Sequence, residues 1–200
     1  MSSTPSTAIG PQQPYPGKAA LDLVAVSAAC VALAPLAAGI AIATWVEDGG
    51  SPFFFQTRIG LDRKPFTVVK FRSMSHMRVT RVGKVLRRTG LDELPQFINV
   101  VRGEMSLVGP RPLTRQDVER LGWAAPSYDW RFTAKPGITG LSQLLSGNGA
   151  RLSRRLDRLY LKRQSLTLDA SLIAVSVAVN VLGKHRVRRW LRHVAVREKG

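Results

Sequence analysis

Two adjacent carboxylates, Asp92 and Glu93, are the residues whose types and spacing point most directly to chemistry. An ionised aspartate can attack phosphorus, and an adjacent glutamate offers hard oxygen ligands of the kind that Mg²⁺ binds. Arg87 and Arg88 precede the pair, and their charges would help to keep a carboxylate ionised. Ordinary capping of a helix would explain the same two acidic residues, so their spacing alone leaves both interpretations open.

Phosphoryl transfer also needs cations that neutralise the oxygens of a diphosphate. The candidate cations are Lys70, Arg72, Arg87 and Arg111. Arg111 lies between Pro110 and Pro112, which would restrict its backbone, although a solvent-exposed turn arginine fits the same pattern. The chain has no GxxxxGK[ST] loop, and its glycines do not follow a strand as a dinucleotide-binding motif requires. The phosphate site is therefore predicted to be built from side chains.

The charge of the chain predicts an anionic partner. Its 200 residues include 30 Lys and Arg against 13 Asp and Glu, for a net charge of +17. Nucleic acid, an anionic membrane surface and phosphate-bearing small molecules all remain candidates on charge alone. The three widely separated histidines and the single Cys30 show no zinc-ligand spacing, and one cysteine cannot form an intrachain disulfide.

An apolar segment near the amino terminus predicts contact with a membrane. The run Leu23–Val46 has no charged residue, and as a helix it would be about 36 Å long, enough for a hydrocarbon core of about 30 Å. Pro35 lies near its middle and predicts a break. Two topologies stay open, a kinked transmembrane helix and a re-entrant helix whose ends emerge on one face. Both place the basic body, residues 58–163, in the cytoplasm.

The remaining pattern predicts a hairpin and several helices. Residues 53–72 form two β-rich runs around a glycine-containing turn, which would present Lys70 and Arg72 near its end. Apolar residues with helical spacing follow Gly90, at Leu94, Phe97, Ile98 and Val101. They predict one apolar helical face, with Asp92 as the N-cap. Residues 151–163 predict a basic helix, and Leu166–Leu182 predicts an interfacial helix, because it is short for a membrane span.

Three motifs in one order carry a resemblance to a known family. They are KFRSM at 70–74, RRTGLDELPQFINVVRGEMSLVGPRPL at 87–113 and KPGITGLSQ at 135–143. With the apolar segment in front of them, the chain resembles the bacterial sugar transferases, or monotopic phosphoglycosyl transferases, over about residues 18–183. The resemblance implies an α+β, mainly helical fold. A small cytoplasmic catalytic body with a β-hairpin would lie on a re-entrant membrane helix broken at Ala34–Pro35, with a C-terminal interfacial helix.

The expected organisation has four parts. Residues 1–17 lack charged residues and are rich in small polar residues and proline, which predicts a disordered tail. Residues 18–48 would form the membrane helix, 49–183 the catalytic domain and 184–200 a basic C-terminal tail suited to an anionic leaflet.

The resemblance also implies a reaction. A sugar-1-phosphate would pass from a UDP-sugar to polyprenyl (undecaprenyl) phosphate at the bacterial inner membrane, initiating lipid-linked glycan or exopolysaccharide synthesis. Asp92 would attack the donor, release UMP and carry a covalent sugar-phosphoryl group, while Glu93 helps to hold Mg²⁺. Arg87 and Arg111 would contact phosphate or support the site. Gly90 departs from the family, which usually has serine there, and could loosen the approach of Asp92.

A different class of function also stays open, a membrane-tethered basic binding or scaffold protein without catalysis. Nucleic acid is not expected as its partner, since aromatic residues are 7% of the chain and no recognition motif is present. The sequence does not predict which sugar, which glycan pathway or which oligomeric state applies.

Overall fold

The computed structural model describes residues 14–145 and 149–182, which form a mainly helical structure with three small two-stranded sheets. The α-helices are α1 (Lys18–Asp48), α2 (Arg81–Thr89), α3 (Phe97–Val101), α4 (Arg115–Arg120), α5 (Leu141–Leu145), α6 (Ala150–Arg163) and α7 (Leu166–Leu182). The strands are β1 (Phe53–Ile59), β2 (Pro65–Phe71), β3 (Met74–Ser75), β4 (Arg78–Val79), β5 (Ser106–Val108) and β6 (Gly137–Thr139). Three 3₁₀ helices span Leu61–Arg63, Leu91–Gln96 and Pro126–Phe132.

These elements confirm the predicted fold class in its main features. The antiparallel pair β1 and β2 is the expected hairpin, with Phe53 opposite Phe71 and Ile59 opposite Pro65. The basic helix α6 and the apolar helix α7 form where they were predicted. Most of the predicted tail at 1–17, and all of the basic tail at 184–200, lie outside the described residues.

Helix α1 is the one helix in the described ranges that is long and apolar enough to cross a membrane. It continues through the exposed Pro35, so the structure does not show the predicted interruption of the helix at Ala34–Pro35. The residues of α1 that the body buries follow helical spacing along nearly its whole length, and they are Lys18, Asp22, Val26, Ile40 and Thr44. The other faces expose large apolar side chains, at Leu21, Leu23, Val24, Val31, Leu36, Ile42, Trp45 and Val46.

Both ends of α1 are held to the body by polar contacts. At the amino-terminal end, Lys18 forms an ion pair with Asp169 of α7, and the hydroxyl of Tyr160 donates to the same carboxylate over 2.9 Å. At the other end, Glu47 accepts hydrogen bonds of 2.6 and 3.0 Å from the first two backbone N–H groups of α2. The two bonds to Glu47 satisfy backbone N–H groups of α2 that a helix amino terminus otherwise leaves without partners.

Between these ends, apolar residues join α1 to the hairpin. Val26 is fully buried and packs in one cluster with Val68 of β2, Val100 of α3 and Met105. Ile40 packs with Phe71 and Leu86 in another. Leu91 and Leu94 of the 3₁₀ helix Leu91–Gln96 also pack against the cluster that contains Phe71, so the hairpin and this helix lie in contact. The residues of the first two motifs are thereby side by side.

Candidate active site

Asp92 and Glu93 lie in the 3₁₀ helix Leu91–Gln96, which joins α2 to α3. The residue that caps this helix is Gly90, with a φ of 72°, so the prediction of Asp92 as a helix N-cap was wrong. The left-handed conformation of Gly90 ends α2 and turns the chain before the two carboxylates. A Cβ atom there would lie 2.5 Å from the amide nitrogen of Asn180, whose side chain would have to shift, and the positive φ itself favours glycine.

The apolar face predicted for the following helix is wrong in part. Leu94 and Phe97 pack against the core as predicted, but the other two residues do not. Ile98 and Val101 are 44% and 50% exposed, whereas Gln96, Asn99 and Val100 are buried. The spacing rule assumes that a helix buries its apolar stripe. Here the helix instead buries the amide side chain of Asn99, and the reason lies in the neighbouring strand.

Asn99 completes the hydrogen bonding of β2 on the side that faces α3. Its Oδ1 accepts from the backbone N–H of Val69 over 3.2 Å, and its Nδ2 donates to the carbonyl of Thr67 over 2.7 Å. Buried backbone groups need such partners, because leaving one without a hydrogen bond costs about 1–3 kcal/mol. Asn99 is 0% exposed and therefore fixes β2 against the helix that follows the carboxylate pair.

This attachment brings Lys70 of β2 to the carboxylate pair. Its Nζ donates to Oε1 of Glu93 over 2.6 Å, with the two side chains 23% and 38% exposed. In the structure Lys70 pairs with Glu93, and its contact with phosphate stays a prediction.

Asp92 is partly buried, and its surroundings raise the pKa of its carboxyl. Burial is the largest cause, and the negative charge of Glu93 acts in the same direction. The cations Lys70 and Arg87 lower the pKa, as the sequence predicted for Arg87, but they do not cancel the effect of burial. The net shift is upward, so the site holds its central carboxylate in an environment that favours the neutral form more than water does.

The structure places Arg87 and Arg72 differently with respect to this pair. Arg87 lies in the last turn of α2, and its Nε donates to Oγ of Ser73 over 2.8 Å. Arg72 forms an ion pair with Asp48 at the end of α1. Phosphate contacts by either arginine stay predictions.

Arg111 lies on a loop whose backbone is held at four successive residues. The carbonyls of residues 110–113 accept hydrogen bonds from Gly137 N–H (2.9 Å), Arg131 Nη2 (2.7 Å), Arg58 Nη1 (3.2 Å) and Ile59 N–H (2.8 Å). The side chain of Arg111 itself is exposed. The sequence predicted rigidity here from the two prolines, and the hydrogen bonds provide a second, independent cause.

The second and third motifs meet at this loop through glycines. Strands β5 and β6 pair in parallel, and the N–H of Gly109 donates to the carbonyl of Thr139 over 3.0 Å. A Cβ atom on Gly137 would lie 2.0 Å from the backbone nitrogen of Gly109, so only glycine permits the two chains to approach so closely.

Three residues that support the site were not among the sequence candidates, and they are Arg58, Asn99 and Arg131. Arg131 and Asp157 form a buried ion pair at 2.8 Å, which steadies the guanidinium that holds the carbonyl of Arg111. Asn99 had a sequence signal, since a lone amide within FINVV must be either exposed or hydrogen-bonded. Arg58 and Arg131 had no such signal, because their partners are distant in the chain.

The carboxylate pair fits one kind of magnesium site. In the ranges that the structure describes, no group of three or more His, Cys, Asp or Glu side chains is placed to hold a metal ion. Asp92 and Glu93 offer two carboxylates, and Lys70 contacts only one oxygen of Glu93. Mg²⁺ commonly binds through one or two carboxylates together with water and substrate phosphates, and this donor set suits such an ion.

A cavity of about 150 Å³ lies elsewhere, beside the amino-terminal end of α1. Its lining includes Lys18, Asp22, Val100 and Tyr160, but neither Asp92 nor Glu93. The carboxylate pair therefore lies outside this cavity.

Comparisons with known proteins show the family to which the chain belongs. The family model described as bacterial sugar transferase matches residues 14–183. A UDP-N-acetylgalactosamine-undecaprenyl-phosphate N-acetylgalactosaminephosphotransferase of Aeromonas hydrophila is 36% identical over 83% of this chain and 44% of its own length. A UDP-glucose:undecaprenyl-phosphate glucose-1-phosphate transferase of Escherichia coli (strain K12) is 37% identical over 84% of this chain and 40% of its own length.

A shorter relative matches over most of its length. The exopolysaccharide production protein ExoY of Rhizobium meliloti (strain 1021) is 32% identical, over 84% of this chain and 86% of the relative. The chain therefore spans less than half of the first two relatives but most of the third.

Proposed function

Because this chain belongs to the bacterial sugar transferase family, we propose that it transfers a sugar-1-phosphate from a UDP-sugar to a polyprenyl phosphate such as undecaprenyl phosphate. The names of its relatives describe UDP-sugar donors and undecaprenyl phosphate for those proteins. The observation that carries the proposal is the position of Asp92, partly buried beside Glu93 and within the electrostatic reach of Lys70 and Arg87. Such a group suits nucleophilic attack on phosphorus among cations.

The first step uses Asp92 as the nucleophile. A carboxylate oxygen of Asp92 forms a bond to the sugar-bearing phosphorus of the donor. The bond from that phosphorus to the oxygen bridging the two phosphates breaks, and UMP leaves with the bridging oxygen and its electron pair. The sugar phosphate is then held on Asp92 as an acyl phosphate. Burial of Asp92 favours this step, because a carboxylate with few water contacts loses less solvation as it reacts.

The second step returns the enzyme to its starting state. An oxygen of the polyprenyl phosphate attacks the same phosphorus, the bond to Asp92 breaks, and the carboxylate is released. The product is a polyprenyl diphosphate sugar. One nucleophile thus serves both half-reactions, and UMP leaves before the lipid reacts, which predicts ping-pong kinetics.

The cations and Glu93 handle the negative charge of the phosphates. Lys70 and Arg87 lie close enough to lower the pKa of Asp92, so they are placed to offset charge that collects on a phosphoryl group there. Arg111 extends from a fixed loop as a further phosphate ligand. A Mg²⁺ ion held by Glu93 and Asp92 would supply additional charge neutralisation.

The contacts of α1 support a membrane position for the whole molecule. A helix of 31 residues is about 46 Å long, yet both of its ends contact the polar body. If α1 crossed the bilayer upright, one set of these contacts would need polar body residues in or beyond the hydrocarbon, which is costly. We therefore favour a re-entrant or surface-lying α1 with both ends on the cytoplasmic face of the bacterial inner membrane.

Release of UMP tests the reaction. The full chain, extracted in detergent, is mixed with a panel of UDP-sugars and Mg²⁺, with and without undecaprenyl phosphate. We expect one donor to yield a burst of UMP without the lipid and continuous turnover with it. Asp92→Asn should lower the rate by on the order of 10⁴-fold.

Folding of the variant is checked by its unfolding temperature. The pKa of Asp92 is raised in the folded protein, so the ionised carboxylate opposes folding at neutral pH and its replacement by the amide should not lower stability. Full activity in Asp92→Asn would contradict the assignment of the nucleophile. Absence of UMP release across the panel in folded wild-type protein would favour the binding or scaffold function.

A further inference from the structure

Arg58 lies on the face of the hairpin that carries Lys70. Side chains alternate along a strand, so Phe54, Gln56 and Arg58 share one face of β1. Phe54 pairs directly with Lys70 across the hairpin, and directly opposite residues point to the same side. Arg58 therefore shares a face with the lysine that contacts Glu93, about 13 Å along the ribbon from it.

Arg58 is also joined to the loop that carries Arg111. Its Nη1 donates to the carbonyl of Pro112 over 3.2 Å, and the next residue, Ile59, pairs with Leu113 as an isolated bridge. These contacts place the Arg58 guanidinium beside the residue that follows Arg111. Its side chain is only 15% exposed.

The acidic residue near Arg58 is shared with other groups. Asp117 lies 3.7 Å from Arg58 Nη1, but it accepts from the hydroxyl of Thr114 at 2.8 Å in the capping box of α4. It also pairs with Arg120 at 2.8 Å. Arg111 forms no ion pair within residues 14–145 and 149–182. Positive charge therefore exceeds negative charge where the hairpin meets the loop.

A buried donor at the same place lacks an acceptor. Nε of Arg58 is buried and has no hydrogen-bond partner among the described residues. Buried polar groups nearly always have partners, so this N–H is a candidate to bind a ligand that supplies an oxygen. Burial is the largest cause that lowers the pKa of Arg58, and the charge of Arg111 acts in the same direction, while Asp117 and Glu93 raise it; the net shift is downward, and a bound anion would oppose it.

We propose that Arg58 and Arg111 together bind a phosphate group between β1 and the loop 110–113. The inference rests on the proposed function for the identity of the ligand, because two substrates of that reaction carry phosphate. One is the nucleotide, whose phosphate leaves as UMP, and the other is the polyprenyl phosphate. Arg58 would donate from Nε, because its Nη1 and Nη2 already donate to Pro112 and Gln56. The exposed guanidinium of Arg111 would supply the other donors that phosphate oxygens accept.

Binding experiments on the full chain test the site without requiring turnover. UMP and the short lipid analogue farnesyl phosphate are titrated separately by calorimetry into wild-type protein and into Arg58→Gln. We expect the variant to weaken one of the two by about 10- to 100-fold, as befits loss of charged hydrogen bonds. Weaker binding of UMP would show that the site binds the nucleotide, and weaker binding of farnesyl phosphate would show that it binds the lipid acceptor.

Arg63→Gln is the matched control on the same hairpin. Arg63 binds Asp129 at 2.7 Å and the carbonyls of Trp123 and Ala125, so its loss removes structural contacts. It should leave both affinities at their wild-type values. Equal weakening in the two variants would overturn the proposal in favour of a structural role for Arg58, and so would unchanged affinities in Arg58→Gln.

Kinetics connect the site to the reaction. If the wild-type protein turns over, Arg58→Gln should raise KM for the substrate whose analogue it binds weakly and leave the other KM unchanged. If it releases no UMP from any donor, the proposed function fails, yet an Arg58-dependent affinity for phosphate would still support the site. Failure of the two proposals is thus distinguishable.

Discussion

The charges and burial around the Asp92 carboxyl group decide how the proposed activity depends on pH. Burial and Glu93 raise the pKa of Asp92, while Lys70 and Arg87 lower it. A nucleophilic aspartate must be ionised, so activity should fall as pH decreases through its folded-state pKa. The neighbours of Asp92 therefore set the position of the acidic limb of the pH profile.

Substitutions of the two neighbours should move that limb in opposite directions. Lys70→Met removes a charge that lowers the pKa of Asp92, so the limb should move to higher pH. Glu93→Gln removes a charge that raises it, so the limb should move to lower pH, along with any loss of rate from weaker Mg²⁺ binding. The measurement is kcat/KM for UMP release between about pH 4 and 9.

Limbs that stay in place in both variants would show that another group controls the acidic side of the profile. Arg78→Met, an exposed arginine on β4, is a charge control that should leave the limb unchanged.

At the scale of elements, close backbone contacts bring the motifs together. The loop 110–113 is held by β1, by β6 and by the buried pair Arg131–Asp157. Asn99 joins β2 to α3 in the same way, through bonds to two backbone groups. The residues that place Lys70 and Arg111 thus act chiefly on the backbone.

Gly137→Ala should disrupt the junction of β5 and β6. The new Cβ atom would meet the backbone of Gly109 at 2.0 Å, and backbone cannot move aside as a flexible side chain can. We expect a loss of stability of about 3 kcal/mol or more, measured as a lower unfolding temperature in detergent, together with loss of activity.

Gly39→Ala in α1 is the control for this substitution. No atom lies within 4 Å of the Cβ position of Gly39, and alanine is favoured over glycine in a helix by about 0.5–1 kcal/mol. Its unfolding temperature should match or slightly exceed that of the wild type. Equal behaviour of the two variants would argue against the close approach at Gly137.

At the scale of the whole molecule, the proposed membrane position depends on α1. Its exposed faces are apolar, and its buried stripe is polar at both ends, where Lys18 and Glu47 bind the body. The apolar faces suit lipid and the polar contacts suit water or protein, so the two ends are expected on the same side of the membrane.

Cysteine labelling tests this topology, since Cys30 is the single native cysteine. In a Cys30→Ala background, Pro16→Cys and Ser51→Cys place thiols at exposed positions before and after α1. A membrane-impermeant maleimide should label both in inside-out vesicles and neither in intact cells. Leu36→Cys, on an exposed apolar face, should react in neither until detergent is added. Labelling of the two flanking cysteines from opposite sides would show that α1 spans the bilayer.

The local pattern of the sequence was sufficient for many of the elements. The hairpin, the apolar helix α1, the basic helix α6 and the apolar helix α7 were all predicted, because periodicity and charge-free length depend on neighbouring residues. The carboxylate pair and its candidate cations were likewise visible as residue types at short spacing. These features require no knowledge of what packs against them.

Tertiary structure alone decided how the candidates are arranged. Asn99 of α3 is buried because it binds backbone groups of β2, and the pKa of Asp92 rises because burial outweighs the cations beside it. Arg58 and Arg131 bind carbonyls of the loop that carries Arg111, and these partners are 54 and 20 residues away along the chain. The sequence by itself determined which groups are available for chemistry, since that depends on residue type. Burial and long-range partners depend on the packed fold, and they decided which of those groups meet.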